Sequence, residues 1–221
     1  MRLAVRGELI SVSISHPLNL NRLYILFFQQ FATNTFTEEY NSTVEPSVHC
    51  QTVMLDNRVH HLKLIDVAPM NSFPQSSLEE WNSGVSLRSA SAYLLIYDAG
   101  NLESFQAVRQ LKEQIYESRD MHNVPVLVVA NKYDLLSKTP TSANQESRER
   151  RDICSMVRKQ WKLSHFECSA KYNWRIVSLF KEVTRVCDLV EFSHPKDNAH
   201  SESFHPLHRE KCAISWLRLS H

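Results

Sequence analysis

The residues best suited to chemistry in this chain are Asn131, Lys132 and Asp134, in the run Asn131-Lys132-Tyr133-Asp134. An ionised carboxylate only accepts, so Asp134 can take two parallel hydrogen bonds from adjacent donors. Guanine carries such a pair on one edge, the N1–H and the exocyclic N2 amine; adenine does not. Asn131 is both donor and acceptor, which suits the far edge of the base and a tie between neighbouring loops. The stem of Lys132 is long and apolar enough to lie across a ring face, with its ammonium in solvent. A solvated loop that ends a strand would use the same residues, and the four-residue pattern alone is weak.

What must position these residues is the run just before them, Val124-Pro125-Val126-Leu127-Val128-Val129-Ala130. A short, continuous, valine-rich stretch reads as a strand buried on both faces of a sheet. Polar residues then begin at its carboxyl end, where open α/β sheets bind their ligands. A second polar cluster, Phe166-Glu167-Cys168-Ser169-Ala170-Lys171, comes after another expected strand. Strands alternating with helices along the chain predict a doubly wound α/β fold.

These two clusters, in this order and context, resemble the base-recognition pair of the Ras-type small GTPases. The wider run from Trp161 to Phe180 is most similar to the Ras-like family 10 subgroup. The resemblance implies a mostly parallel sheet with helices on both faces, forming a G domain over residues 29–190. It also implies GTP/GDP and Mg²⁺ as ligands, hydrolysis of GTP in a monomeric signalling switch, and effector or regulator proteins as partners. By the same resemblance Ser169 braces Asp134, the Ala170 N–H donates to the guanine carbonyl oxygen, and Lys171 packs the loop.

Composition is consistent with that class. At 221 residues the chain is long enough for one sizeable core plus tails. A net charge of +1 makes no electrostatic case for nucleic acid. The cysteine count, 5, is odd and lacks paired or zinc-like spacing, which points to a reducing, cytoplasmic setting. No apolar run approaches the ~20 residues of a membrane-spanning helix.

Departures from the family pattern begin at the amino end. Arg2 to Gly7 is expected as a first strand running into a glycine turn, the place of the phosphate-binding loop G-x-x-x-x-G-K-[ST]. Counting on from Gly7, the second Gly, the Lys and the Ser/Thr fall on Val12, Ser13 and Ile14, so the motif is absent. Resemblance resumes near Gln29-Gln30-Phe31, about a dozen residues later than that loop and helix require. Residues 1–28 are therefore expected to be a divergent segment in place of the phosphate loop, either foreign sequence introduced by splicing or a divergent surface loop. The first strand–loop–helix unit is expected to be disrupted.

Glu38 to Pro46 resembles the first switch segment, and Thr43 matches its Mg²⁺-binding threonine. A hairpin is expected from Thr52-Val53-Met54-Leu55 and Val59 to Ile65, turning at Asp56-Asn57. It leads to Asp66-Val67-Ala68-Pro69-Met70, where the family has Asp-x-x-Gly-Gln. Asp66 matches the carboxylate that holds Mg²⁺ through water. Pro69 has no N–H to give a γ-phosphate. The Met70 thioether cannot orient an attacking water as glutamine does. The family 10 subgroup also carries a proline-containing version here, and Phe73-Pro74 and Leu78 to Trp81 fit that subgroup.

Further along, Ala92 to Asp98 reads as a buried strand, and Asn101 as the cap of a helix with Phe105, Val108, Leu111 and Ile115 inward. A helix from about Asp152 sets Ile153, Met156 and Val157 inward. A last helix begun by Asn173 carries Ile176, Phe180, Val183 and Cys187 on one stripe. Residues 191–221 read as a polar, His-rich tail. It contains Lys211-Cys212-Ala213-Ile214-Ser215, which would be a prenylation box at a chain terminus. Since Trp216 to His221 come after it, membrane association is expected only of a form ending at Ser215. Two functions stay open: a GTP-hydrolysing switch with weakened nucleotide binding, or a nucleotide-independent adaptor built on the same fold.

Overall fold

The computed structural model describes residues 9–17, 30–31, 34–35, 47–66, 76, 87–138, 143–193 and 216–219. Its strands are β1 (Leu9–Pro17), β2 (Ser47–Leu55), β3 (Arg58–Asp66), β4 (Ala92–Asp98), β5 (Val126–Asn131), β6 (Ser164–Glu167) and β7 (Trp216–Leu219). They form one sheet in the order β2-β3-β1-β4-β5-β6, with β7 against β1. All neighbours are parallel except the β2–β3 hairpin. The doubly wound α/β class is therefore the fold observed.

The centre of the sheet is a strand that the sequence reading did not assign. β1 begins after Gly7 and lies between β3 and β4, pairing Leu9 to Val12 with His61 to Leu64 and Val12 to Ser15 with Ala92 to Leu95. Val12, Ser13 and Ile14 thus sit inside a strand. The expected strand at Arg2–Gly7 falls outside the described residues. β7 continues along β1 from Ile14 to Pro17, so part of the expected tail is paired with the sheet.

β4 and β5 are buried along their whole length, as their unbroken apolar sequences require. Burying each such Val, Leu or Ile contributes roughly 1.5–3 kcal/mol. The hairpin turns on Asp56 and Asn57 with φ of 50° and 62°, a pair of left-handed residues whose twist suits two-residue connections.

Helix α1 (Ser104–Ser118) covers the sheet with Phe105, Val108, Leu111 and Ile115 buried. Asn101 heads the preceding turn, its Oδ1 accepting the Glu103 N–H at 3.2 Å, and the cap position falls on Glu103. Helix α2 (Ala143–Ser155) starts earlier than its apolar residues suggest and runs into a π turn, Met156–Gln160. Its early turns are rich in Gln, Glu and Arg, which favour helix without offering an apolar stripe. Helix α3 (Ile176–Ser193) buries Ile176, Leu179, Phe180 and Val183. Phe31 stacks on Phe180 with ring centroids 3.8 Å apart, tying Phe31 to this helix.

Candidate functional site

Because β1, β3, β4, β5 and β6 run parallel, their carboxyl ends share one edge of the sheet. Asp66 closes β3, Asp98 closes β4 and Asn131 closes β5 on that edge, with Asp98 opposite Asn131 in register. β4 and β5 stop where their apolar runs give way to a polar residue, which sets Asp98 and Asn131 at the same edge.

The two sequence clusters meet there. Ser169 Oγ donates to Asp134 Oδ1 at 2.6 Å, and the Ala170 backbone N–H donates to Asn131 Oδ1 at 3.0 Å. Backbone bonds repeat the tie, from Tyr133 N–H to the Cys168 carbonyl at 3.2 Å and from Cys168 N–H to the Ala130 carbonyl at 2.9 Å. Asn131 and Ser169 are buried, with only 1 % and 2 % of their surfaces exposed. The β6–α3 loop is closed on itself by a Ser169–Trp174 bridge, and Trp174 stacks on Tyr133 at 5.4 Å. Asp134 lies in the first turn of a 3-10 helix, Tyr133–Lys138.

Lys132 differs from its expected placement. Its ammonium is paired rather than free, with Nζ 2.6 Å from Asp98 Oδ2 and a third of the side chain still exposed. Its backbone is left-handed, with φ 59°, an unfavourable region for a residue with a Cβ. Lys171 is exposed beside the loop, its Nζ 6.0 Å from the Tyr172 ring centroid. Of the two expected Mg²⁺ residues, Asp66 ends β3, and Thr43 lies outside the described residues together with Pro69, Met70 and the Cys212 box.

Three contributors escaped the sequence reading. Asp98 is the anchor of Lys132, although its place at the end of an apolar strand is the same signal that marks Asn131. Cys168 lies under the site with its Sγ 3.7 Å from the Ala130 carbonyl oxygen and 4.0 Å from Asn131 Oδ1, and burial pushes its thiol pKa well above the ordinary range. Asn173 Nδ2 donates to Asn34 Oδ1 at 2.5 Å, and Gln30 Nε2 donates to the same oxygen at 3.1 Å. That oxygen joins the segment after Phe31 to the β6–α3 loop.

A sheet of this order, with paired polar loops at its carboxyl edge, defines an α/β domain of the doubly wound class. The chain belongs to the Ras family, whose model matches residues 25–188. It is 33% identical over 192 residues to human Ras-like protein family member 10B, covering 84% of this chain and 89% of that one. It is 34% identical over 196 residues to mouse Ras-like protein family member 10A, with the same coverage of 84% and 89%. GTP-binding protein Di-Ras2 of Macaca fascicularis is 28% identical over 155 residues, 70% of each chain. The chain is thus a Ras-type small GTPase by family, with guanine nucleotide and Mg²⁺ as the ligands of that family. Among the described residues no helix is long and apolar enough to cross a membrane.

Proposed function

We propose that this chain reads guanine with Asn131, Lys132, Asp134, Ser169 and Ala170 but grips the phosphates of GTP and GDP weakly, leaving hydrolysis poor or lost. The observation that carries the first half is the interlock of Ser169 with Asp134 and of Ala170 with Asn131. Ser169 orients the Asp134 carboxylate for the paired donors of guanine. The Ala170 N–H donates to Asn131 Oδ1 and exchanges that acceptor for the carbonyl oxygen of the base when guanine binds. Lys171 packs the loop that carries Ala170.

The second half rests on the residues that come after each strand at the same edge. Leu18-Asn19-Leu20-Asn21-Arg22, after β1, contains no glycine and no Lys-Ser/Thr pair to cradle phosphate. Pro69 lacks the N–H and Met70 the amide that the family uses at the γ-phosphate. Charge-assisted hydrogen bonds of that kind contribute about 1.5–3 kcal/mol each, so a site with only its base half intact binds in the micromolar-to-millimolar range. Mg²⁺, when present, offsets phosphate charge, and Asp66 and Thr43 are the residues that would hold it.

Effector or regulator proteins are the expected macromolecular partners, the chain acting as a monomer in the cytoplasm. A form ending at Cys212-Ala213-Ile214-Ser215 would carry a prenyl anchor and attach to a membrane. A titration with fluorescent GTP and GDP, with and without Mg²⁺, tests the reading. Weak binding that distinguishes guanine from adenine nucleotides supports it. Submicromolar, Mg²⁺-dependent binding overturns the weak phosphate grip. Absence of binding by a chain that melts cooperatively favours a nucleotide-independent adaptor instead.

A further inference from the structure

We infer that Asp98 is a positioning residue of the base site, holding the Lys132 ammonium so that the lysine stem is ordered before a guanine ring arrives. This rests on the guanine reading of the site given above. The Asp98 side chain is 8 % exposed and the Lys132 side chain 33 %, with 2.6 Å between their charged atoms. Asp98 is itself fixed: its Oδ1 accepts the Gly100 N–H at 2.8 Å, and its own N–H donates to Ser104 Oγ at 2.9 Å. A side chain at Gly100 would press on that carboxylate, since an added Cβ would lie 3.3 Å from Oδ1.

Lys132 is therefore held at both ends. Its root is set by the left-handed backbone at φ 59°, and its tip by the Asp98 carboxylate across the neighbouring strand end. A lysine stem has many rotamers, and ordering it on binding opposes affinity. A stem already ordered presents a fixed apolar surface to a planar ring, which is preorganisation in the usual sense. The Ala99 N–H, bonded to the Asn131 carbonyl oxygen at 2.8 Å, keeps the two strand ends in step.

The test is a double-mutant cycle on the full chain, read with ribose-labelled fluorescent GDP and Mg²⁺. Asp98→Asn and Lys132→Met are each expected to weaken binding by about three- to tenfold. The double variant is expected to bind no worse than K132M alone, because Asp98 acts through Lys132. Additive losses, or unchanged affinity in D98N, overturn the proposal. If D98N does not melt cooperatively, Lys132→Arg takes its place: an arginine keeps the pair with Asp98 and is expected to lose less affinity than K132M. Equal losses in K132R and K132M overturn the proposal. Failure of the unmodified chain to bind GDP overturns the base-site reading and this role with it, whereas additive losses in a chain that does bind overturn this role alone.

Discussion

Ser169 and Asp134 stand 35 residues apart in sequence and 2.6 Å apart in space, hydroxyl to carboxylate. Ser169→Ala removes the donor and leaves the Asp134 carboxylate less well oriented. The variant is expected to lose about 1 kcal/mol of stability and about fivefold in GDP affinity. Thermal melts and a fluorescent GDP titration measure the two effects separately.

Asp134→Asn exchanges an acceptor-only group for an amide whose NH₂ faces the guanine donors. Binding to GDP is expected to fall at least about tenfold, while xanthosine diphosphate, with a carbonyl at the same ring position, gains. Competition between the two nucleotides against a fluorescent probe reads the exchange. Unchanged GDP affinity would remove Asp134 from the base site.

His165 supplies a pH signature of folding. Burial pushes its pKa from 6.5 down to about 4, with Arg158 adding in the same direction. Its Nε2 lies 2.9 Å from the Tyr97 hydroxyl, and its Nδ1 has no hydrogen-bond partner among the described residues. The unfolded chain takes up a proton near the ordinary value and the folded chain resists it. This contribution to stability is therefore full above about pH 6.5, falls as pH drops through the window to about 4, and is flat below. The span is at most roughly 3 kcal/mol. Urea unfolding across that window, compared with His165→Phe, isolates the slope; the variant should lack it.

Phe180 is fully buried and carries the stacked Phe31 ring. Phe180→Ala is expected to cost about 3–5 kcal/mol, the range for a large aromatic removed from a core. Chemical denaturation measures it. A loss below about 1 kcal/mol would mean that the Phe31 contact is not part of the folded core.

The base loops were legible in the sequence because each polar cluster comes after an unbroken apolar run, a local pattern with a direct physical cause. The ends of β4 and the hairpin turn were legible for similar reasons. The first strand was not. Ile10, Val12 and Ile14 alternate with Ser11, Ser13 and Ser15, which is the strand period, yet Arg2 to Gly7 offered a competing strand with its own glycine turn. The structure selects Leu9–Pro17 by the gap between β3 and β4, a choice made by distant chain. The start of α2 was missed because a polar helix leaves no apolar stripe to count. The Lys132–Asp98 pair joins residues 34 apart, and no local rule assigns a lysine its counter-ion.

The central place of β1 has a consequence for how the protein is made. Leu9–Pro17 leaves the ribosome before either strand that flanks it in the sheet, β3 or β4, and β4 does not begin until Ala92. At ~5–20 residues per second, the strand waits several seconds beside a half-built sheet. Until Asp66 is made its backbone groups lack both flanking strands, and until β4 follows they have only β3, so the nascent chain depends on dilution or on chaperones to avoid pairing elsewhere.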